Sequence, residues 1–191
     1  EQEALRRGIA AALAEIRRPA RPFGSEANGW RYPQRNLGNF GNDYAYRATI
    51  ALTALAALET AEATYLMCDR DAAGRPLDGS GRYVLRFEPG QMPPARAFWS
   101  LAMYEVTPDG RAFFIDNPLS RYAIGDRTPG LRRGADGSLE ILLQSERPAG
   151  DDLSNWLPAP AGPMRLVLRA YEPEEPLLDG SWRMPAVRKV S

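Results

Sequence analysis

Trp99, Asn117, Arg121, Asn155 and Trp156 are the residues of this chain whose types and placement best suit a ligand. Asn117-Pro118 and Asn155-Trp156 stand at loop starts, and Trp99 lies inside a strand-like run. Indole rings stack on the apolar face of a sugar, while side-chain amides and a guanidinium bind its hydroxyls. The set therefore suggests a small molecule or glycan held without metal or cofactor. Alternatively, both asparagines satisfy loop backbone and both tryptophans are core.

Arg47, Arg121, Arg127 and Arg169 offer a second chemistry, the two-pronged capture of a carboxylate. Arg47 falls in a helix expected to be largely buried, where it would need a carboxylate or carbonyl partner. Acid–base work would fall to Asp78, Glu105, Asp116 and Asp126, since a hydrolase or lyase needs two carboxylates facing each other. Their simpler roles are a turn at Asp78-Gly79 and a loop cap at Asp126. Asp151-Asp152 and Glu174-Glu175 read as solvated charge without calcium-loop spacing.

Other chemistries are excluded by composition. The 191 residues contain no histidine, which removes Ser-His-Asp and Cys-His catalysis and histidine-ligated metals. Lys+Arg and Asp+Glu stand at 24 each, so there is no basic excess of the kind a nucleic-acid binder uses. Lys189 is the sole lysine. Cys68, the single cysteine, lies in an apolar run and reads as a buried structural thiol. The longest apolar stretch, residues 49–58, is far shorter than the roughly 20 residues a membrane helix needs. The chain begins at Glu1 rather than Met, so a preceding segment is expected.

The elements that must position these residues follow from periodicity. Residues 2–18 carry Leu5, Ile9, Leu13 and Ile16 at helical spacing, giving an amphipathic helix that stops before Pro19. Residues 19–41 show no period and are expected to lie irregularly over a surface, anchored by Phe23, Trp30 and Tyr32. Asn42 or Asp43 can cap a second, alanine-rich helix over 44–59, expected to be largely buried. Six strands are then expected over 64–68, 81–87, 97–105, 112–115, 139–144 and 164–171, separated by turn chemistry such as Asp78-Gly79 and Asp136-Gly137. Tyr83, Leu85 and Phe87 alternate with Arg82, Val84 and Arg86, and Leu166, Leu168 and Ala170 alternate with Arg165, Val167 and Arg169. NWLPAPAGP, residues 155–163, is a stiff loop that feeds the last of these strands, and residues 174–179 suit one helical turn. The sum is a mainly β (α+β) chain with N-terminal helices, built as a jelly-roll-like antiparallel β-sandwich. Residues 1–41 form an N-terminal extension and 42–191 the domain.

Six blocks carry a resemblance to a known family: FGNDYAYRA (40–48), GRPLDGSGRYVLRF (74–87), PPARAFWSLAMYE (93–105), DNPLSRYAIGDRTPGL (116–131), NWLPAPAGPMRLVLRAY (155–171) and DGSWRMPAVRKV (179–190). Together they resemble the bacterial family called domain of unknown function 1214, which in longer relatives follows domain of unknown function 1254. The resemblance implies a jelly-roll-like fold and a periplasmic or envelope location, and it brings no catalytic residues. It also makes the first helix the tail of a longer architecture, with an apolar stripe that favours self-association into a homo-oligomer. The expected function is a non-catalytic binding or interaction module, with carbohydrate as the suggested ligand. A carboxylate-dependent hydrolase or lyase and a structural assembly module are the alternatives.

Overall fold

The computed structural model describes residues 1–18, 23–150 and 153–190, with the side chain of Phe23 left out. The expectations for Pro19, for Phe23 as an anchor and for Asp151-Asp152 lie outside these described residues.

Helix α1 (Gln2–Ile16) opens the chain, followed by strands β1 (Phe23–Ala27) and β2 (Trp30–Pro33) and helix α2 (Tyr44–Thr53). Seven strands come next: β3 (Ala63–Cys68), β4 (Arg82–Phe87), β5 (Ala95–Val106), β6 (Ala112–Phe113), β7 (Ala123–Gly125), β8 (Leu139–Gln144) and β9 (Trp156–Pro158). The chain ends with β10 (Met164–Pro173), helix α3 (Glu175–Asp179) and β11 (Arg188–Val190). A seven-stranded sheet runs β1-β2-β3-β10-β5-β6, with β7 also on β5, and a four-stranded sheet runs β11-β4-β8-β9. Among the described residues all strand pairings are antiparallel except the parallel β8–β9 pair. The class is mainly β with a few helices, and neither sheet closes into a barrel among the described residues.

One hydrophobic core joins the sheets. From the large sheet it takes Trp30, Leu66, Leu101, Leu166 and Leu168; from the small one, Tyr83, Leu85, Phe87, Ile141 and Leu143. Phe87 of β4 meets Trp99 of β5 across the gap, with ring centroids 5.6 Å apart. The alternation seen in the sequence holds in β10: Leu166, Leu168 and Ala170 are buried in this core, and Arg165, Val167 and Arg169 form the opposite face. That outer face is not bare. Leu37, Tyr46 and Ile50 form a second, smaller core under α2, with Tyr65 of β3 packed against it.

Two expectations are corrected. Residues 23–33 are a β-hairpin rather than an irregular segment, because Asn28 and Gly29 both take positive φ (54° and 80°) and make the mirror-image turn that two-residue hairpins require. Trp30 and Tyr32 are nevertheless buried anchors, as expected. Helix α2 is capped by Asp43, whose carboxylate accepts from the Tyr46 N–H at 2.9 Å, but it stops at Thr53 and buries only Tyr46, Thr49 and Ile50. Leu52 on the helix and Leu55 just past it are exposed. Arg47 is exposed as well and lies over the Tyr44 ring, so it needs no buried partner.

Candidate functional site

The sequence-selected set is brought partly together, and its polar groups serve the fold. One terminal nitrogen of Arg121 (Nη1) donates to the backbone carbonyls of Leu153 (2.7 Å), Ser154 (2.9 Å) and Trp156 (2.8 Å). Asn155 accepts from the Arg132 N–H and donates to the Arg132 and Glu140 carbonyls. Asn117 closes its own loop, accepting from the Leu119 and Arg121 N–H groups and donating to the Ile115 and Arg121 carbonyls. Trp156 is 1% exposed and its indole N–H donates to the Gln144 carbonyl, while Trp99 is 4% exposed in the core. Neither ring offers a face to a ligand. The Asp78-Gly79 turn packs closely against residues 155–163: a Cβ at Gly79 would sit 2.0 Å from the Pro160 carbonyl oxygen, so only glycine admits this approach.

The candidate carboxylates do not make an acid–base pair. Glu105, Asp116 and Asp126 are exposed, and no hydrogen bond joins any two of the four. Asp78 accepts from the Ser80 hydroxyl and N–H, which hold its carboxyl below the usual range. A general acid needs the opposite shift. No group of three or more His, Cys, Asp or Glu residues able to hold a metal occurs among the described residues. Burial pushes the Cys68 thiol up to about 12, so it is inert.

A groove of about 850 Å³ lies on the outer face of the large sheet. Its floor is Met67 of β3, Arg165, Val167 and Arg169 of β10, and Tyr104 of β5. One wall comes from Leu37, Ile50 and the segment after α2, the other from the β5–β6 hairpin with Arg111 and Phe113. Four arginines line it (Arg31, Arg111, Arg165 and Arg169), and no Asp, Glu, Asn or Gln does. The register explains how they meet. Met67 pairs with both Arg31 and Val167, Arg165 with Tyr104, and Arg169 with both Tyr65 and Ser100.

The arginines differ in what already holds them. Asp69, just past β3, pairs with Arg31 and also accepts from Arg165 Nε at 2.6 Å. Arg111 pairs with Asp109. Arg169 has no carboxylate partner among the described residues; one terminal nitrogen donates to the Tyr104 hydroxyl at 2.8 Å. The Tyr104 ring is fixed by stacking on Phe114, centroids 4.5 Å apart. Burial raises the Tyr65 hydroxyl, which keeps this groove residue uncharged. Of the other arginines considered for carboxylate capture, Arg127 lies over Phe98 and donates to the Ala97 carbonyl. Sequence reasoning had Arg169 in view but missed Tyr104, Met67 and Arg165. For Arg165 the signal was the outward side of the β10 alternation; Met67 and Tyr104 lie on β3 and β5, and only strand pairing brings them to it.

A family model described as "Protein of unknown function (DUF1214)" matches residues 62–175. No curated protein matches the chain. Among solved structures it is similar to the VPA0106 protein from Vibrio parahaemolyticus, at 24% identity and a TM-score of 0.70, over 97% of this chain and 43% of that one. An uncharacterised protein from Burkholderia cenocepacia is more distant, at 18% identity and a TM-score of 0.41, over 68% of this chain and 29% of that one. The chain thus spans less than half the length of either. The Vibrio protein shares the fold.

Proposed function

Since this chain belongs to the DUF1214 family of proteins of unknown function, we propose a function from its own residues: it is a non-catalytic binding module whose small-molecule ligand lies in the outer-face groove. One observation carries this. The groove is lined by four arginines and by apolar side chains, with no carboxylate among its lining residues. Arg31 and Arg165 share Asp69 and Arg111 pairs with Asp109, which leaves Arg169 without a carboxylate partner among the described residues, and pockets of this size with a few convergent polar groups are the usual form of a ligand site.

The test is a fragment screen followed by amide chemical-shift mapping. Shifts confined to Met67, Tyr104, Val167 and their neighbours support the groove. Shifts confined to residues 153–158 would return the site to the loop of Asn155 and Trp156. The sugar reading rests on the Trp99, Asn117, Arg121, Asn155 and Trp156 set, and a glycan array with Trp156→Ala as control decides it.

A jelly-roll-like description draws support from the core shared by the two sheets and is opposed by the parallel β8–β9 pair. A periplasmic or envelope setting and a place after domain of unknown function 1254 rest on the family resemblance; no helix among the described residues is long and apolar enough to cross a membrane. An assembly role draws on α1, where Leu5, Ile9 and Leu13 are exposed and no residue is buried. Analytical ultracentrifugation showing a strict monomer would end that role.

A further inference from the structure

We propose that the ligand is a free, single-chain amphiphile bearing one carboxylate, with the carboxylate at Arg169 and Tyr104 and the chain over Val167 and Met67; this rests on the groove being the binding site.

Charge sets the place of the head group. Arg31 and Arg165 share Asp69, and Arg111 has Asp109. Arg169 alone keeps a guanidinium without a carboxylate among the described residues. Arg169 is therefore the place in the groove where an added anionic group finds an unpaired cation.

Hydrogen-bond polarity sets the head group. The Tyr104 oxygen accepts from Arg169, which leaves the phenolic O–H as a donor with no acceptor among the described residues. The remaining guanidinium N–H groups of Arg169 are donors too. Two neighbouring donor groups without acceptors suit a carboxylate, whose two oxygens can take one bond from each. A neutral sugar fits poorly, because it also needs acceptors, and the groove is lined by no Asp, Glu, Asn or Gln side chain.

The rest of the floor sets the body. Val167 and Met67 lie side by side in register next to the Arg169–Tyr65 pair, and the chain would pass over them toward Leu37 and Ile50. The floor lies between the α2 side and the β5–β6 hairpin, which favours a single free chain over the flat surface of a bilayer.

Isothermal titration of the full chain with dodecanoate, dodecan-1-ol, dodecyl phosphate and dodecyltrimethylammonium, each kept below its micelle concentration, tests this. Dodecanoate is expected to bind best with one molecule per chain, and dodecan-1-ol about tenfold more weakly, the usual scale of one charge-assisted hydrogen bond. Arg169→Gln should bring dodecanoate down to the alcohol's affinity and leave the alcohol unchanged, whereas Arg169→Lys should keep part of the preference. Thermal melts of both variants show whether they are folded. Equal binding of dodecanoate and dodecan-1-ol would overturn the carboxylate while leaving the groove as the site. Tighter binding of dodecyl phosphate, or binding only in a parallel titration with anionic phosphatidylglycerol vesicles, would overturn the proposed class. If none of the four binds, or if dodecanoate binding survives a folded Val167→Trp variant that fills the floor, the groove itself is the wrong site.

Discussion

Arg121 and Arg169 are the same side chain in two regions of one molecule, and they differ in what surrounds the guanidinium. Arg121 is held by the carbonyls of Leu153, Ser154 and Trp156, so it ties the loop before β9 to the segment around Asn117. Arg169 has a tyrosine hydroxyl and an open groove. A saturated arginine is a cross-link between chain segments. An unsaturated one beside apolar floor is an invitation to an anion. Residue type is common to both, so the difference lies in acceptors supplied from elsewhere in the chain.

The loop region can be tested hardest. Trp156→Ala is expected to lower stability by about 4 kcal/mol, because it empties a fully buried site beside β8 and orphans the Gln144 carbonyl. Urea denaturation measures it, and groove binding by the folded fraction should be unchanged. Arg121→Ala follows at about 3 kcal/mol, since three carbonyls lose a charged donor at once. If either variant kept its stability and lost a ligand instead, the loop would be the binding site and the comparison would reverse.

A carboxylate saturated in the same manner gives the next effect. Desolvation pushes the Asp71 carboxyl up, but hydrogen bonds from the Arg75 N–H and guanidinium and from the Ala73 N–H outweigh it, and the net shift is downward. Its folded pKa therefore lies below its unfolded value of about 3.9, so its stabilisation is present above that pH and is lost as pH falls through the folded pKa. Asp71→Asn should cost about 2 kcal/mol at neutral pH, the scale of lost charge-assisted bonds. The gap to the unsubstituted protein should close below pH 4, roughly where the unfolded carboxyl titrates. A gap that stays constant with pH would mean that Asp71 acts by shape alone.

How much of this was legible in the sequence depends on the distance between partners. The β10 alternation was readable because it is local, and it placed Leu166 and Leu168 inward and Arg165 and Arg169 outward. The β1–β2 hairpin was equally readable from Asn28-Gly29, and was missed because the surrounding glycines, prolines and aromatics masked its short strands. Trp156–Pro158 pairs in parallel with β8, and no local pattern announces a three-residue parallel strand rich in proline. The site was the least legible part. Arg121 draws its acceptors from residues 153–156, and Arg169 meets Tyr104 from β5 and Tyr65 from β3. A sequence shows that an arginine is present; whether it is already satisfied emerges only when distant strands pair.

The smallest expected effect is the sharpest. Arg169→Gln should change stability by less than about 0.5 kcal/mol, the range for a surface substitution that breaks no buried network. Arg169 is half-buried, its bond goes to a neutral hydroxyl, and that hydroxyl can be hydrated through the open groove once the guanidinium is gone. Glutamine keeps an amide donor and much of the aliphatic stem over Tyr104. Removing a cation from among Arg31, Arg165 and Arg111 also relieves like-charge repulsion, which offsets the lost bond. Paired urea melts of Arg169→Gln and Arg121→Gln read the contrast directly, because both variants delete the same charge and differ only in its surroundings. A loss of 2 kcal/mol or more at Arg169, roughly that of a charge-assisted bond, would make it a cross-link like Arg121, and the groove would lose the unsatisfied donor on which its ligand depends.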